Sequence, residues 1–565
     1  MLCGSVFGHQ KSVVEEYIAK EGPIAKAGVL ANIGAEGSRS SGAKTGVVIA
    51  SPSVEDPDYL YTWIRDSSLV FKCLIDQYTL GEDRTLRGHI DDFVWSQAIL
   101  QQIPNPSGNL ITGGLGEPKF LISLAAFTDG WGRPQKDGPA LRSIALITYA
   151  NWLLEQSNTT HVIQKIWPIV KLDLDYVSTR WNSSGYDLWE EVSSASFFTS
   201  AVQHRALRQG VTFAKKIGQT GITNKWAIQA DNILCFLQAS KTFWNPTGLH
   251  ITSNTKRGRS GIDANSALAS IHTFDASAGC DAATFQPCSD KALASLKVYV
   301  DSFRAIYTIN NGTAAHDAVA TGRYLEDVYY GGNPWYLTTA AVAEQLYDAL
   351  IVWKAQKSVT VTSISLAFFQ QFLPSIQPGI YMSSSKTYTI LVNAIKQHAD
   401  DFLAVNAKYT PADGSLSEQY NRETGVPLSA KHLTWSYASA LTAFAARGGR
   451  VLPSWGAKGL KVPDVCIPSP VVSATFNVVA ETVFGENIYL AGSIDQLMNW
   501  SPDNALLLSP DAYPKWSVTL DVPASIDFEY KFIRKYNGAV VWESGPNHLA
   551  TTPATGNVGF SSTWH

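Results

Sequence analysis

Charge is scarce in this chain. Asp, Glu, Lys and Arg make up 16% of the 565 residues, against roughly 25% in ordinary soluble domains. The two signs nearly cancel, leaving a net charge of −4. No basic stripe is present to neutralise a phosphate backbone, so nucleic acid is excluded as a partner. The six cysteines, Cys3, Cys73, Cys235, Cys280, Cys288 and Cys466, contain no CxxC pair, which argues against zinc, and nothing implies another metal or a cofactor. No run of 18 apolar residues occurs, so no membrane span is expected. The opening MLCGSVFGHQK has only a short apolar stretch, less than a complete signal peptide.

Aromatic residues, by contrast, are plentiful: 17 Trp, 23 Tyr and 23 Phe. They serve equally well as a large core or as flat platforms for uncharged ligands such as sugar rings. Hydrophobic residues make up 45%, which places the chain among globular proteins. Its length exceeds what one compact core accommodates, so a large domain with a smaller companion is expected. Low lysine, cysteines spaced as if paired, and sequons at Asn158, Asn182 and Asn311 together favour a secreted glycoprotein. No feature signals an oligomer, and a monomer is expected.

Up to about residue 455 the pattern is helical, with segments expected near 12–34, 62–79, 84–103, 138–156, 161–181, 196–216, 224–243, 261–272, 289–309, 335–356, 387–405 and 430–447. RSIALITYANWLLEQ (142–156) and WYLTTAAVAEQLYDALIVW (335–353) are apolar on nearly every face and read as buried helices. In LVNAIKQHADDFL (391–403), Leu391, Ala394, Ile395, His398 and Phe402 share one face, as in a half-exposed helix. Alternating buried and half-exposed helices imply two concentric layers, an all-α barrel with long loops gathered at one end. The Pro-rich VPDVCIPSPVV (462–472) reads as a short linker, with no Ser/Thr-rich stalk. Beyond it the apolar period falls to two: Val472, Ala474, Phe476 and Val478 alternate with polar residues, as do Phe528, Tyr530 and Phe532, with Ile533 placed on the opposite face. Residues 472–565 are therefore expected to form a β-sandwich behind a domain spanning 1–461.

Several loops carry candidate chemistry. GYDLWEEV (185–192) sets Asp187, Glu190 and Glu191 around Trp189. Such a group is either an acidic helix start, favoured by the helix dipole, or a carboxyl whose pKa is raised by apolar burial and like-charged neighbours to act as an acid. SEQY (417–420) places Glu418 in a loop, as a solvated carboxylate or as a base that activates water. YLYTWIRDSS (59–68), DGWGRPQKDGPALR (129–142) and GRYLEDVYYGGNPWY (322–336) each combine Arg, Asp and aromatics: Tyr59, Trp63, Arg65 and Asp66; Trp131, Arg133 and Asp137; Arg323, Asp327, Tyr329 and Trp335. Arg–Asp neighbours present a fork of donors and an acceptor to adjacent sugar hydroxyls, or simply pair at a helix start.

With NIGAEG, VIASPS, NPSGNL, GLGEPKF, SFFTSAVQHRAL, TFQPCS and LTWSYA, these segments resemble, in the same order, the fungal glucoamylases of glycoside hydrolase family 15. The tail, through GENIYLAGSI, FEYKFIRK and VVWESGPN, is similar to the family 20 starch-binding module. The resemblance implies an (α/α)6 barrel and an inverting exo-hydrolase acting on starch, glycogen and malto-oligosaccharides, releasing β-D-glucose from non-reducing ends and cutting α-1,6 links more slowly. It implies Glu190 as general acid and Glu418 as the ionised general base, with carboxyls separated by about 6.5–9.5 Å to admit water. It further implies substrate contacts from Tyr59, Trp63, Arg65, Asp66, Trp131, Asp187, Leu188, Trp189, Glu191, Arg323, Asp327, Tyr329, Trp335 and Trp435. Starch contacts are implied at Trp500, Lys531 and Trp542, with a second site at Asp511, Tyr513 and Trp516, where Phe484 replaces the family's tyrosine. Disulfides Cys280–Cys288 and Cys235–Cys466 are implied; Cys3 and Cys73 match no family pair, and Cys73 reads as a buried thiol. A barrel enzyme with another linkage preference, or an inactive glucan-binding protein, are the competing readings.

Overall fold

The computed structural model describes residues 12–110, 112–239, 242–256, 258–464, 466 and 471–565; Cys3 lies outside them. Twelve long helices are present among the described residues: α1 Val13–Ala31, α2 Ile64–Thr79, α3 Arg87–Leu100, α4 Asp137–Glu155, α5 Trp167–Arg180, α6 Phe197–Lys216, α7 Thr223–Gln238, α8 Asn265–His272, α9 Asp290–Ser302, α10 Tyr336–Gln356, α11 Lys386–Tyr409 and α12 Thr434–Arg447. The even-numbered helices pack α2 on α4, on through α6, α8 and α10 to α12, and back to α2, closing an inner ring. Each odd-numbered helix lies outside it, α3 on α2, α5 on α4, α7 on α6, α9 on α8, α11 on α10 and α1 on α12.

Apolar patterning decides the layer. Helix α10 is buried along almost its whole length, as its unbroken apolar sequence predicts, and α4 likewise. Helix α11 buries Leu391, Ile395, His398 and Phe402 on one face and leaves Asn393, Lys396 and Gln397 exposed. Close packing needs a small residue at one crossing: a Cβ on Gly28 of α1 would come within 2.7 Å of the Tyr437 ring on α12. Arg142 of α4 and Asp173 of α5 form a buried two-pronged ion pair, Nε to Oδ2 at 2.8 Å and Nη2 to Oδ1 at 2.6 Å, with Gln97 and Gln101 of and beside α3 completing its hydrogen bonds. Cys235 on α7 is bonded to Cys466, and Cys280 to Cys288. Cys73 is a buried free thiol.

The tail forms two sheets. In one the order is β4 (Ser509–Ala512), β5 (Lys515–Pro523), β1 (Val471–Val479), β9 (Asn557–Thr563), with β1 and β9 parallel. In the other it is β3 (Leu506–Leu507), β2 (Asn487–Gly492), β6 (Asp527–Tyr536), β7 (Ala539–Trp542), while β8 (His548–Thr551) pairs with β6. Val472, Ala474, Phe476 and Val478 meet Phe528, Tyr530 and Phe532 in the core. Ile533, on the opposite face of β6 as the alternation placed it, is buried as well; its partner across the sheet is Trp542. No helix among the described residues is long and apolar enough to cross a membrane.

Candidate active site

Every outer-to-inner connection ends at the N-terminus of an inner helix, so the long loops converge on one end of the barrel. There they line a cavity of about 590 Å³. Tyr59, Trp63, Arg65 and Asp66 reach it from the start of α2, Trp131 from the loop before α4, and Leu188, Trp189, Glu190 and Glu191 from the loop before α6. Arg323, Tyr329 and Trp335 come from ahead of α10, and Glu418 and Trp435 from around the start of α12.

Glu190 holds φ +68°, a left-handed conformation that costs a residue with a Cβ and persists only where its surroundings hold it. Asp187 enforces the turn: its carbonyl accepts from the Glu190 N–H, and its Oδ1 accepts from the N–H groups of Glu191 and Val192. Glu190 Oε1 accepts from Trp63 Nε1 at 2.7 Å, Gln135 Nε2 at 2.9 Å and Arg65 Nη2 at 3.4 Å; Oε2 accepts from Trp131 Nε1 at 2.9 Å. The expectation of like-charged neighbours around Glu190 is corrected here. Asp187 is fully buried in its own turn, with Asn254 on its second oxygen, and Glu191 is turned toward Arg323, Arg259 and Tyr324. Burial alone would raise the Glu191 pKa, but Arg323, Tyr324 and Arg259 outweigh it and hold the carboxyl below its ordinary value.

Glu418 is 1% exposed. Burial pushes its pKa up to about 7 despite hydroxyl donation from Ser429 and Tyr59, the positive charge of Arg323 and the Gln419 amide. Its donors only partly replace the water lost on burial. Tyr59 and Tyr329 share a hydrogen bond of 2.9 Å beside it.

Two arginines flank the carboxyls. Arg65, 6% exposed, donates to Gln135 at 2.8 Å and Asp137 at 3.2 Å; its Nε and Asp66 Oδ2 lie 3.5 Å apart, buried and without hydrogen-bond partners. Burial raises Asp66 to about 6, with Arg65 opposing. Arg323 is clamped by Asp327 through Nε at 2.8 Å and Nη2 at 2.6 Å. Asp187 and Asp327, expected as substrate contacts, do not line the cavity; each spends its oxygens positioning a neighbour. Sequence reasoning missed Gln135, which bridges Arg65 to Glu190. It also missed Lys119, whose amine sits 3.3 Å from the Trp131 ring centroid and 4.6 Å from that of Trp63. GLGEPKF and GWGRPQKDG contain both residues, but neither lysine nor glutamine announces a site by type.

Residues 23–445 match the family described as "Glycosyl hydrolases family 15", and residues 471–561 match "Starch binding domain". The chain belongs to glycosyl hydrolase family 15. It is 58% identical to "Glucoamylase-1" of Schizophyllum commune over 98% of this chain and 96% of that protein, and 47% identical to "Glucoamylase" of Neurospora crassa over 98% and 95%. A solved structure described as "Glycoside Hydrolase Family 15 Glucoamylase from Hypocrea jecorina" superposes with a TM-score of 0.78 at 48% identity, covering 98% of this chain and 100% of that one. This family 15 member is thus a glycoside hydrolase with a starch-binding domain.

On that domain Trp500 and Trp542 lie with ring centroids 6.2 Å apart at 52°, and Trp542 is 36% exposed. Lys531 donates to the carbonyls of Glu543 at 3.0 Å and Gly545 at 2.7 Å, bracing the turn after Trp542. Phe484 and Tyr513 are exposed, as is Asp511. Trp516, expected at the second starch surface, is instead core: it is 3% exposed and donates to the Ala480 carbonyl at 3.1 Å. Its place in the period-two pattern of β5 already aligned it with inward-facing Val522. Of the sequons, Asn311 is exposed, while Asn158 and Asn182 are half-buried.

Proposed function

We propose that this protein is an inverting exo-acting glucan 1,4-α-glucosidase that removes β-D-glucose from the non-reducing ends of starch, glycogen and malto-oligosaccharides and cuts α-1,6 links more slowly. The observation that carries the reading is the convergence of Glu190 and Glu418 on one cavity with Arg65, Asp66 and Arg323. Arg65 and Asp66, adjacent in the cavity lining, offer a fork of donors and an acceptor to neighbouring hydroxyls of a terminal glucose. Glu190 passes a proton to the glycosidic oxygen as the bond to the anomeric carbon breaks. Ionised Glu418 takes a proton from the water that attacks the opposite face. Loops around the cavity admit a chain end and exclude a chain interior, and the arene walls from Tyr59, Trp63, Trp131, Trp189, Trp335 and Trp435 supply flat contacts for sugar rings.

In the same reading the catalytic unit spans 1–461 and the starch module 472–565, joined by a short linker. Trp500 and Trp542 stack on a glucan with Lys531 holding their loop, and Phe484, Tyr513 and Asp511 provide a second contact. The two disulfides and exposed Asn311 support secretion and glycosylation, the chain acting as a monomer.

Glu190→Gln tests the assignment. Turnover of maltose is expected to fall by at least about 100-fold, the order supplied by a positioned acid, while starch adsorption is retained. Turnover within a few-fold of the parent would refute it.

A further inference from the structure

Glu190 keeps an unfavourable backbone conformation, and contacts outside the turn add to the hold of Asp187. Its two sequence neighbours are pinned to the loops ahead of α8 and α10. Glu191 pairs with Arg323 at 2.9 Å. Trp189 donates its indole N–H to Asp263 Oδ1 at 2.9 Å, and the Arg323 guanidinium covers the Trp189 ring at 5.4 Å. Asp263 stands just ahead of α8, where the same Oδ1 accepts from the Asn265 N–H at 2.7 Å. Backbone contacts tie it to the arginine loop: Asp263 bridges Tyr324, and the Ala264 N–H donates to the Arg323 carbonyl at 2.8 Å. Asn265 next to it donates to Ser196, the cap of α6, and accepts from Phe198, so the start of α8 also grips the far end of the acid's loop. Asp263 is 2% exposed and lies outside the cavity lining. A helix N-terminus offers the N–H groups that stabilise an acidic side chain there.

We propose that Asp263 is a positioning residue for catalysis: it fixes Trp189 from behind and so sets the aim of Glu190 relative to the Arg323 loop. This rests on Glu190 being the general acid. The carboxyl touches no substrate and transfers no proton; its contribution is the hydrogen bond it accepts from the Trp189 indole. Burial pushes its pKa up to about 8, which makes asparagine, neutral and isosteric, the conservative replacement.

The test uses two substrates of the full-length protein. Maltose needs a proton delivered to its leaving oxygen. In α-D-glucosyl fluoride the C–F bond breaks to release fluoride, which leaves without that proton, while Glu418 still activates the water. Asp263→Ala is expected to lose on the order of 10- to 100-fold in kcat on maltose, the cost of a misplacement of about 1 Å, with KM little changed and fluoride hydrolysis nearly intact. Asp263→Asn, which keeps the acceptor, restores most of the maltose rate. Trp189→Phe removes the donor of the same bond but also alters a wall of the cavity, so both substrates are expected to lose rate; adding Asp263→Ala to it should cost maltose turnover little more. For Asp263→Ala, equal losses on both substrates, or maltose turnover unchanged, would overturn the proposal. Where Asp263→Ala does not fold, Asp263→Ser, whose shorter side chain cannot reach the indole, carries the test with the same split expected. Glu190→Gln run alongside separates the two claims: if it loses fluoride hydrolysis as severely as maltose hydrolysis, the acid assignment fails, independently of Asp263.

Discussion

At the scale of single residues, the catalytic loops assign opposite surroundings to two glutamates. Glu190 faces four N–H donors at a mouth of indoles, while Glu418 is sunk in the wall with hydroxyl and amide donors. In the proposed mechanism the acidic limb of kcat/KM reports Glu418, because a base works only when ionised and burial pushes its pKa up to about 7. Ser429 donates to the carboxylate and so lowers that pKa. Ser429→Ala removes the donor, raises the pKa and should move the acidic limb to higher pH by a fraction of a unit to about one unit, given roughly 1.4 kcal/mol per unit. A pH series of kcat/KM on maltose checks this; a limb that stays put or moves to lower pH contradicts it. Glu190 and Glu418 were singled out in the sequence through the resemblance of GYDLWEEV and SEQY to family 15 segments, and both line the cavity. Their partners were not. Gln135 meets Glu190 across 55 residues of chain, and Asp263 meets Trp189 across 74, contacts that no local pattern encodes. The same blindness assigned Asp187 and Asp327 to the substrate, since a carboxylate that closes a turn or clamps an arginine looks in sequence like one that binds a sugar.

Among elements, the inner and outer helices differ in sequence because they differ in surroundings. The all-round apolar α4 and α10 and the one-sided α11 declared their layers before any coordinates. Boundaries were less legible: α8 begins at Asn265 and α12 at Thr434, each a few residues after the expected start, because loop residues such as Asp263 and Leu433 are apolar or acidic enough to extend a helical pattern. In the sandwich, Trp516 shows the same limit: an aromatic assigned to a starch surface serves as core. Where layers meet, polar bonds add to packing. Arg142 and Asp173 are both within 2% of full burial, so removing one partner leaves the other charged and unpaired. Asp173→Ala is expected to destabilise the barrel by about 3–5 kcal/mol, seen as a lower midpoint in thermal or denaturant unfolding. A change below about 1 kcal/mol would mean that water enters to solvate Arg142.

For the whole molecule, the proposed function divides the work on insoluble starch between two folded units. The barrel holds the carboxyls, and the sandwich presents Trp500 and Trp542 on its own surface. Cys235–Cys466 ties the segment after the barrel back to α7 across 231 residues, the kind of long loop whose closure restricts the unfolded chain most. Trp500→Ala with Trp542→Ala should weaken adsorption to granular starch by about tenfold, on the order of 1.4 kcal/mol, and reduce granule digestion while leaving maltose hydrolysis unchanged. Equal loss on granules and maltose would mean that the two units do not act separately.

The most direct test of the central claim is proton NMR of the anomeric region during digestion of maltoheptaose. Inversion by Glu190 and a water activated by Glu418 predicts that the first glucose signal is the β-anomer, appearing without a burst of intermediate-length products. If the first glucose released is the α-anomer, configuration is retained, and Glu418 cannot be the base that activates an attacking water.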